Sequence, residues 1–183
     1  DYQVNLERLK GLLKLEDARN LALSATDVVI DAILGAGLNR SLSGDYEYLA
    51  QLINQSGAYV VAVDVPTGFK SEGSFEPIYN GVSADYCITF ERPKINFFFP
   101  ESLRALKAFE VVPIGLAESY LQNVATPWKL ISEKAVGKLL KPRSAFSHKC
   151  TYGHALVVAG NPETMGAALL CTSACLNSGA GLV

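Results

Sequence analysis

The chain of 183 residues has few cysteines and histidines, no long apolar run and almost balanced charges. A membrane-spanning helix needs roughly 18–20 consecutive apolar residues, so we expect no membrane segment. Sixteen basic and eighteen acidic residues leave no basic surplus that could bind nucleic acid. The four cysteines form no CxxC pair, and two histidines are little material for a zinc site. We expect a cytoplasmic protein whose cysteines are small buried side chains.

The first part of the chain alternates apolar strand patterns with loops and an amphipathic helix. The residues between the first two strands form a loop rich in glycine and serine, followed by a helical pattern over Asp45–Ser56. This order is typical of a parallel α/β sheet, in which ligands bind beyond the carboxyl ends of the strands. The predicted strands are Asp27–Leu34, Tyr59–Val63, Asp85–Phe90, Phe97–Phe99 and Phe109–Ile114.

The pattern changes after Leu116, and a second unit follows. Ser132 is predicted to cap a short helix that ends near Leu140. His154–Gly160 is predicted to be a strand, and 166–177 a helix of small residues. We therefore divide the chain into domains 1–125 and 126–183.

Two aspartates lie in or directly after predicted buried strands. Asp31 is inside the first strand, and Asp64 ends the second. A buried carboxylate is costly unless it is paired, hydrogen-bonded or bound to a cation. Each aspartate could simply cap the turn that follows it, or the two could form one site at the edge of the sheet.

The loop GAGLNR after the first strand lacks the third glycine of a dinucleotide-binding fingerprint, because position 40 is arginine. Its backbone N–H groups could still hold a phosphate, with Arg40 as a charged donor. Alternatively, Arg40 is a solvated surface side chain. In the second unit, the small residues at 166–168 could admit a ligand to a helix start or only allow close packing. His148 and His154 are interpreted as structural.

Two sets of short motifs follow one another along the chain. The first comprises 31–40, Val63–Gly68, Ala84–Phe90, Pro93-Lys94 and Pro113–Gly115; the second comprises Lys141–Arg143, Ser147–Lys149, Tyr152–His154, Gly166-Ala167 and Ser178–Val183. In this order they resemble the bifunctional enzymes that repair hydrated NADH and NADPH. The first set resembles the NAD(P)H-hydrate epimerase domain, and the second the opening of the ADP-dependent NAD(P)H-hydrate dehydratase domain. Cys150 departs from the second pattern, which usually has glycine there.

The resemblance implies a Rossmann-like parallel sheet followed by the start of a ribokinase-like α/β domain. It implies that Asp31 and Thr67 help to ligate a potassium ion, and that Asp64 contacts the damaged nicotinamide ring as the acid/base. The hydrated dinucleotide is implied to bind Asp64, Ala167 and the loop residues Gly35, Ala36, Gly37, Leu38, Asn39, Arg40 and Ser41. The dehydratase would use ADP or ATP with magnesium.

The resemblance also leads us to expect a piece of a longer homo-oligomeric enzyme that is inactive alone. It would interconvert the R and S hydrates in its first domain and dehydrate the S form in its second. Two alternatives stay open at this point. The first domain could be a non-catalytic nucleotide-binding or protein-interaction module, or the chain could be a ribokinase-type kinase with an unrelated N-terminal domain.

Overall fold

The computed structural model describes residues 2–10, 12–14, 16–140 and 142–183, so Lys141 of the second motif set lies outside the described residues. The chain divides into a first compact unit that ends at Trp128 and a second that begins at Lys129. No helix within the described residues is long and apolar enough to cross a membrane.

The first unit contains a four-stranded parallel sheet in the order β1-β2-β3-β4. This confirms the predicted parallel α/β architecture and is consistent with a Rossmann-like fold. The strands are β1 Val28–Asp31, β2 Tyr59–Val63, β3 Tyr86–Phe90 and β4 Phe109–Val112. The helices of the whole chain are α1 Tyr2–Leu9, α2 Asp45–Ser56, α3 Glu118–Asn123, α4 Glu133–Leu139 and α5 Met165–Asn177.

The pairing of β1 with β2 places both strand aspartates at one edge of the sheet. Asp31, the last residue of β1, is level with Ala62 of β2, and Asp64 follows two residues later. Because the two strands are neighbours and parallel, their carboxyl ends meet at the same edge. The prediction of adjacent parallel strands is therefore confirmed.

The sheet has one covered face and one more open face. Helix α2, confirmed over its predicted length, buries Ala50 and Ile53 in the hydrophobic core. On the opposite face of β1, Val28 and Ile30 are 66% and 68% exposed. The core of this unit is formed by Leu42, Ala50, Ile53, Val60, Ala62, Val65, Phe69, Val82, Ala84, Cys87, Phe97, Ala105 and Leu106.

The predicted strand at Phe97–Phe99 is wrong. Residues Ile95–Phe98 form a 3₁₀ helix, which buries Phe97 with its ring centroid 5.3 Å from that of Phe69 and 4.9 Å from that of Phe109. The side chain of Asn96 donates to the backbone oxygens of Lys70 and Gly73 at 2.8 and 3.2 Å. These bonds fix a compact turn, which an extended strand with alternating side chains could not form.

The second unit contains helices α4 and α5 and a 3₁₀ turn at Lys149–Tyr152. The Ser132 hydroxyl accepts a hydrogen bond from Ala135 N at 3.2 Å and confirms the predicted cap. The predicted strand His154–Gly160 is wrong, because only His154 forms a bridge, to Leu182. Residues 155–160 have no strand partner within the described chain, and a strand needs such a partner for its backbone hydrogen bonds.

The cysteines are free, and they are not uniformly buried as expected. Cys87 is buried within the sheet, whereas Cys150 and Cys171 are exposed. Cys171 lies on α5, a helix in which no residue is buried. The expectation of a core cysteine therefore fails there because the helix has no packed cover within the described residues.

A glycine contact holds the turn that follows β2. Gly68 has φ +95°, and a Cβ at this position would lie 2.6 Å from Gly81 Cα and 2.9 Å from Leu42 Cδ1. Gly81 is equally restricted, since a Cβ there would lie 2.5 Å from the backbone oxygen of Thr67. The turn thus requires two facing positions without side chains.

We predict that Gly68→Ala destabilises the protein more than Gly73→Ala does. Both glycines have positive φ, but a Cβ at Gly73 would meet nothing within 4 Å. The free energy of unfolding falls by about 1–2 kcal/mol in both variants, because alanine adopts a positive φ at a cost. Gly68→Ala lowers it by about 1–3 kcal/mol more through overpacking. Denaturant unfolding of the full-length variants measures the difference, and equal losses would contradict the steric argument.

Candidate functional site

The Asp31 carboxylate is held by the turn that follows the neighbouring strand. Its Oδ2 accepts a hydrogen bond from Thr67 N at 2.7 Å, and its Oδ1 accepts one from Thr67 Oγ1 at 2.6 Å. Ile33 N donates to Oδ1 over a longer distance, 3.4 Å. Asp31 is 1% exposed, and no basic side chain in the described part of the chain forms an ion pair with it. Its charge is therefore balanced only by hydrogen-bond donors.

This charge affects a buried tyrosine. Burial raises the pKa of Tyr79, and the negative charge of Asp31 raises it further. The Tyr79 hydroxyl donates to the backbone oxygen of Val82 at 2.7 Å. The phenol therefore stays protonated and cannot compensate the carboxylate.

Thr67 connects three segments of the site. Its hydroxyl donates to Asp31 and accepts a hydrogen bond from Leu34 N at 3.0 Å. Its backbone oxygen accepts one from Val82 N at 2.8 Å. Asp31 and Thr67 thus present a carboxylate and a hydroxyl oxygen beside each other, without a competing basic side chain. An oxygen-only donor set of this kind suits a hard cation, so these residues fit the potassium ion that the sequence resemblance implies.

Asp64 has an unusual backbone conformation. Its φ is +67°, in the left-handed region that side chains other than glycine rarely adopt. Its backbone N–H donates to the oxygen of Ile88 on β3 at 2.8 Å. The chain therefore turns sharply at Asp64 while it remains attached to the neighbouring strand.

The two oxygens of the Asp64 carboxylate have different surroundings. Lys94 Nζ lies 2.8 Å from Oδ1, and Phe90 N and Thr89 Oγ1 donate to the same oxygen at 3.2 and 3.4 Å. Among the described residues, no hydrogen bond reaches Oδ2. Since no buried side-chain oxygen in this part of the chain lacks a partner, Oδ2 must be open to solvent. One oxygen is anchored, and the other is accessible to a bound molecule.

A buried thiol lies near both carboxylates. Burial and the negative charge of Asp64 raise the pKa of Cys87 to about 12, Asp31 contributes in the same direction, and Lys94 opposes the shift. The thiol donates to the backbone oxygen of Asp64 at 3.5 Å. Cys87 is therefore a neutral donor that supports the Asp64 backbone, and it is not a nucleophile.

The loop over 35–41 follows β1 and exposes its backbone. The backbone turns at Ala36-Gly37, and every residue of the loop except Leu38 is exposed. A Cβ at Gly35 or Gly37 would meet nothing within 4 Å, so the space beside the backbone is open. Leu38 packs against the core, and the buried Leu42 anchors the end of the loop. The loop is thus attached to the core at Leu38 and Leu42, and the backbone of the remaining residues is exposed.

Arg40 lies beside a small depression that also contains Lys70 and Arg104. Lys70 is paired with Glu76, and Arg104 donates to the backbone oxygens of Glu76 and Pro77 at 2.9 and 3.1 Å. Arg40 has neither an ion pair nor a hydrogen bond to any described residue. It is the guanidinium in this depression that remains available to an anion.

Comparison with known families identifies the chain. The family model described as YjeF-related protein N-terminus matches residues 2–96. The chain belongs to this family. The matched region contains β1, the open loop, α2, β2, β3 and every predicted site residue except Ala167.

Similar proteins extend the likeness along the chain. Those from Coxiella burnetii and Thermofilum pendens, both named "Bifunctional NAD(P)H-hydrate repair enzyme Nnr", are 36% and 35% identical over 86% and 97% of this chain. A protein of the same name from Escherichia coli is 31% identical over 87% of this chain. The matches cover 32%, 32% and 30% of these relatives, so this chain spans about a third of their length.

The YjeF-related unit brings most of the predicted site residues to one edge of its sheet. Asp31 and Thr67 are in contact, and Asp64 and the open loop over 35–41 follow the same two strands. Ala167 lies in the second unit, near the start of α5, where it is exposed and its N–H donates to Thr164 O at 3.1 Å. Ala167 is therefore not one of the residues that the edge of this sheet brings together.

The sequence did not predict the contact between Lys94 and Asp64. Thirty positions separate them, and the lysine reaches the aspartate only because β2 and β3 are neighbours. The available signal was the motif Pro93-Lys94 directly after a predicted strand, where the chain must turn back over the edge of the sheet. Thr89 was missed for the same reason.

We predict that Thr67→Val destabilises this YjeF-related protein by about 1–3 kcal/mol per buried polar group left without a partner. Valine keeps the shape but removes the hydroxyl that links Leu34 N with Asp31 Oδ1. Thr67→Ser is the matched control, because it keeps the hydroxyl and removes a methyl group. Denaturant unfolding measures both variants, and a valine variant as stable as the serine variant would contradict this role of the hydroxyl.

Proposed function

We propose that the first unit is part of an NAD(P)H-hydrate epimerase, and that its substrates are the R and S hydrates of NADH and NADPH. The observation that carries this proposal is a carboxylate with one anchored and one open oxygen, at the same sheet edge as a loop with an exposed backbone. Family membership and the names of the relatives support it.

The loop over 35–41 would hold the phosphates of the dinucleotide. Backbone N–H groups bind phosphate oxygens well, and a free guanidinium adds a charged donor. Asp45 and Glu47 lie in the first turn of α2 and oppose an anion at that helix start. The loop and Arg40, rather than the helix terminus, would therefore supply the binding energy.

Asp64 would act as the acid/base. The two hydrates have the same composition, so epimerisation requires no net gain or loss of a proton. Inversion requires a bond at the hydroxyl-bearing carbon to break and to re-form on the opposite face. Asp64 would take the hydroxyl proton as the adjacent carbon–nitrogen bond opens to leave a carbonyl and would pass this proton to the released nitrogen, and the reverse steps would close the ring on the other face. Its open Oδ2 would face the nicotinamide ring, while the donors on Oδ1 keep the side chain in place.

A potassium ion held by Asp31 and Thr67 would supply positive charge beside a carboxylate that lacks a basic partner. The ion would offset the charge of Asp31, and Asp64 would be the carboxylate that transfers protons. The fit rests on the donor chemistry of the two buried side chains.

The second unit would belong to an ADP-dependent NAD(P)H-hydrate dehydratase with a ribokinase-like fold. Its support is the order of the second motif set and the similarity to bifunctional relatives across most of the chain. Ala167, near the start of α5, would contact the substrate. ADP or ATP with magnesium would bind to residues of the same domain.

We predict that Asp64→Asn lowers epimerisation in the full-length protein by about 10²–10⁴-fold. Asparagine keeps the size and the acceptor oxygen but cannot take up a proton. Dehydration of the S hydrate by the same preparation is the internal control, and it should remain near the parent rate. The assay follows recovery of NADH from the R hydrate with an excess of separate dehydratase. An asparagine variant within a few-fold of the parent would show that Asp64 is a structural turn residue.

We also predict that potassium raises the melting temperature of the full-length protein relative to tetramethylammonium at equal ionic strength. An ion that binds only the folded state stabilises it, and more so as its concentration rises above the dissociation constant. The bulky organic ion is too large to approach the oxygens of Asp31 and Thr67 closely. Thr67→Val should lose this difference and Thr67→Ser should retain most of it. Equal melting temperatures in the two salts would argue against the cation site.

A further inference from the structure

We propose that Lys94 is a positioning residue for epimerisation: it holds the Asp64 carboxylate by Oδ1 and so directs Oδ2 toward the substrate. This inference rests on the epimerase function proposed above and adds a residue to that site. The Nζ–Oδ1 distance of 2.8 Å is the shortest of the three contacts that hold this carboxylate.

The turn after β3 brings Lys94 to the aspartate. Glu91 has φ +59°, and its carboxylate accepts a hydrogen bond from Ile114 N at 2.8 Å. This bond attaches the turn to the end of β4 and reverses the chain over the edge of the sheet. Lys94 Nζ also donates to the backbone oxygens of Phe90 and Arg92 at 3.4 and 3.5 Å. The ammonium group is therefore surrounded by acceptors on the protein side.

The degree of burial makes this ion pair effective. The side chains of Lys94 and Asp64 are 18% and 19% exposed, so solvent screens them less than it screens a surface pair. The other two donors to Oδ1, Phe90 N and Thr89 Oγ1, are more distant. Without the ammonium group the carboxylate could rotate and exchange its two oxygens, and Oδ2 would lose its defined direction.

A second Lys–Asp pair, near the opposite end of β3, provides a matched control. Lys107 is paired with Asp85, which lies directly before β3, at the amino end of the sheet. The Lys107 side chain is 75% exposed, and its carboxylate partner is already held by Val60 N at 2.8 Å. Loss of Lys107 removes an equal charge from the same unit without a change at the carboxyl edge.

The experiment compares Lys94→Met, Lys94→Gln, Lys94→Arg and Lys107→Met in the full-length protein. Epimerisation kinetics, the dissociation constant for the hydrate and the melting temperature are measured for each. Displacement of a reacting group by about 1 Å can cost about 10²-fold in rate. We therefore expect kcat to fall about 10–100-fold in the Met and Gln variants, with the dissociation constant within threefold of the parent. Lys94→Arg should recover most of kcat, and Lys107→Met should match the parent.

Several results would overturn the inference. An unchanged kcat in folded Met or Gln variants would show that the ion pair is dispensable. A larger dissociation constant with normal kcat would make Lys94 a substrate-binding residue. Failure of Lys94→Arg to recover kcat would point to an ammonium group that itself transfers a proton. Absence of epimerisation in the parent protein would instead refute the proposed function, and the inference with it.

Discussion

The hydrogen bonds between Asp31 and Thr67 are the interaction on which the carboxyl edge of the sheet depends. They connect the last residue of β1 to the turn after β2 across 36 positions. The same threonine hydroxyl accepts a hydrogen bond from Leu34 N, and the threonine backbone oxygen accepts one from Val82 N. A buried carboxylate that is fully hydrogen-bonded is tolerated, whereas one that loses a partner is costly. The site geometry and the stability of the edge are therefore coupled.

This coupling explains why glycines face each other behind the threonine. The backbone oxygen of Thr67 lies so close to Gly81 that a Cβ would approach it to 2.5 Å. A Cβ at Gly68 would in turn lie 2.6 Å from Gly81 Cα. A side chain at Gly81 would therefore displace the backbone of Thr67, whose hydroxyl lies 2.6 Å from the carboxylate. Two glycines that carry no functional group thus allow the backbone of Thr67 to lie where it does.

Much of the first unit follows from sequence pattern. The β-branched runs predicted β1, β2 and β3, and the apolar face of Asp45–Ser56 predicted α2 at both ends. The pattern failed at Phe97–Phe99, because three aromatic residues in a row suggest a strand, whereas the buried amide of Asn96 fixes a 3₁₀ turn. It failed at His154–Gly160 because a strand depends on neighbours that local sequence does not contain. The roles of Asp31 and Asp64 as edge residues were predicted, but the contacts to Thr89, Phe90 and Lys94 depend on pairing between β2 and β3.

The two carboxylates of the site differ in hydrogen bonding rather than in position along the sheet. Both oxygens of Asp31 accept hydrogen bonds from Thr67, so the protein itself occupies both sides of this carboxylate. Asp64 accepts only at Oδ1 within the described chain, and its left-handed backbone exposes Oδ2. A bound molecule can therefore form a hydrogen bond with Oδ2 without displacing a donor of the protein. The two carboxylates thus differ in how many of their oxygens the protein itself occupies, and this difference is the structural basis for proposing different roles for them.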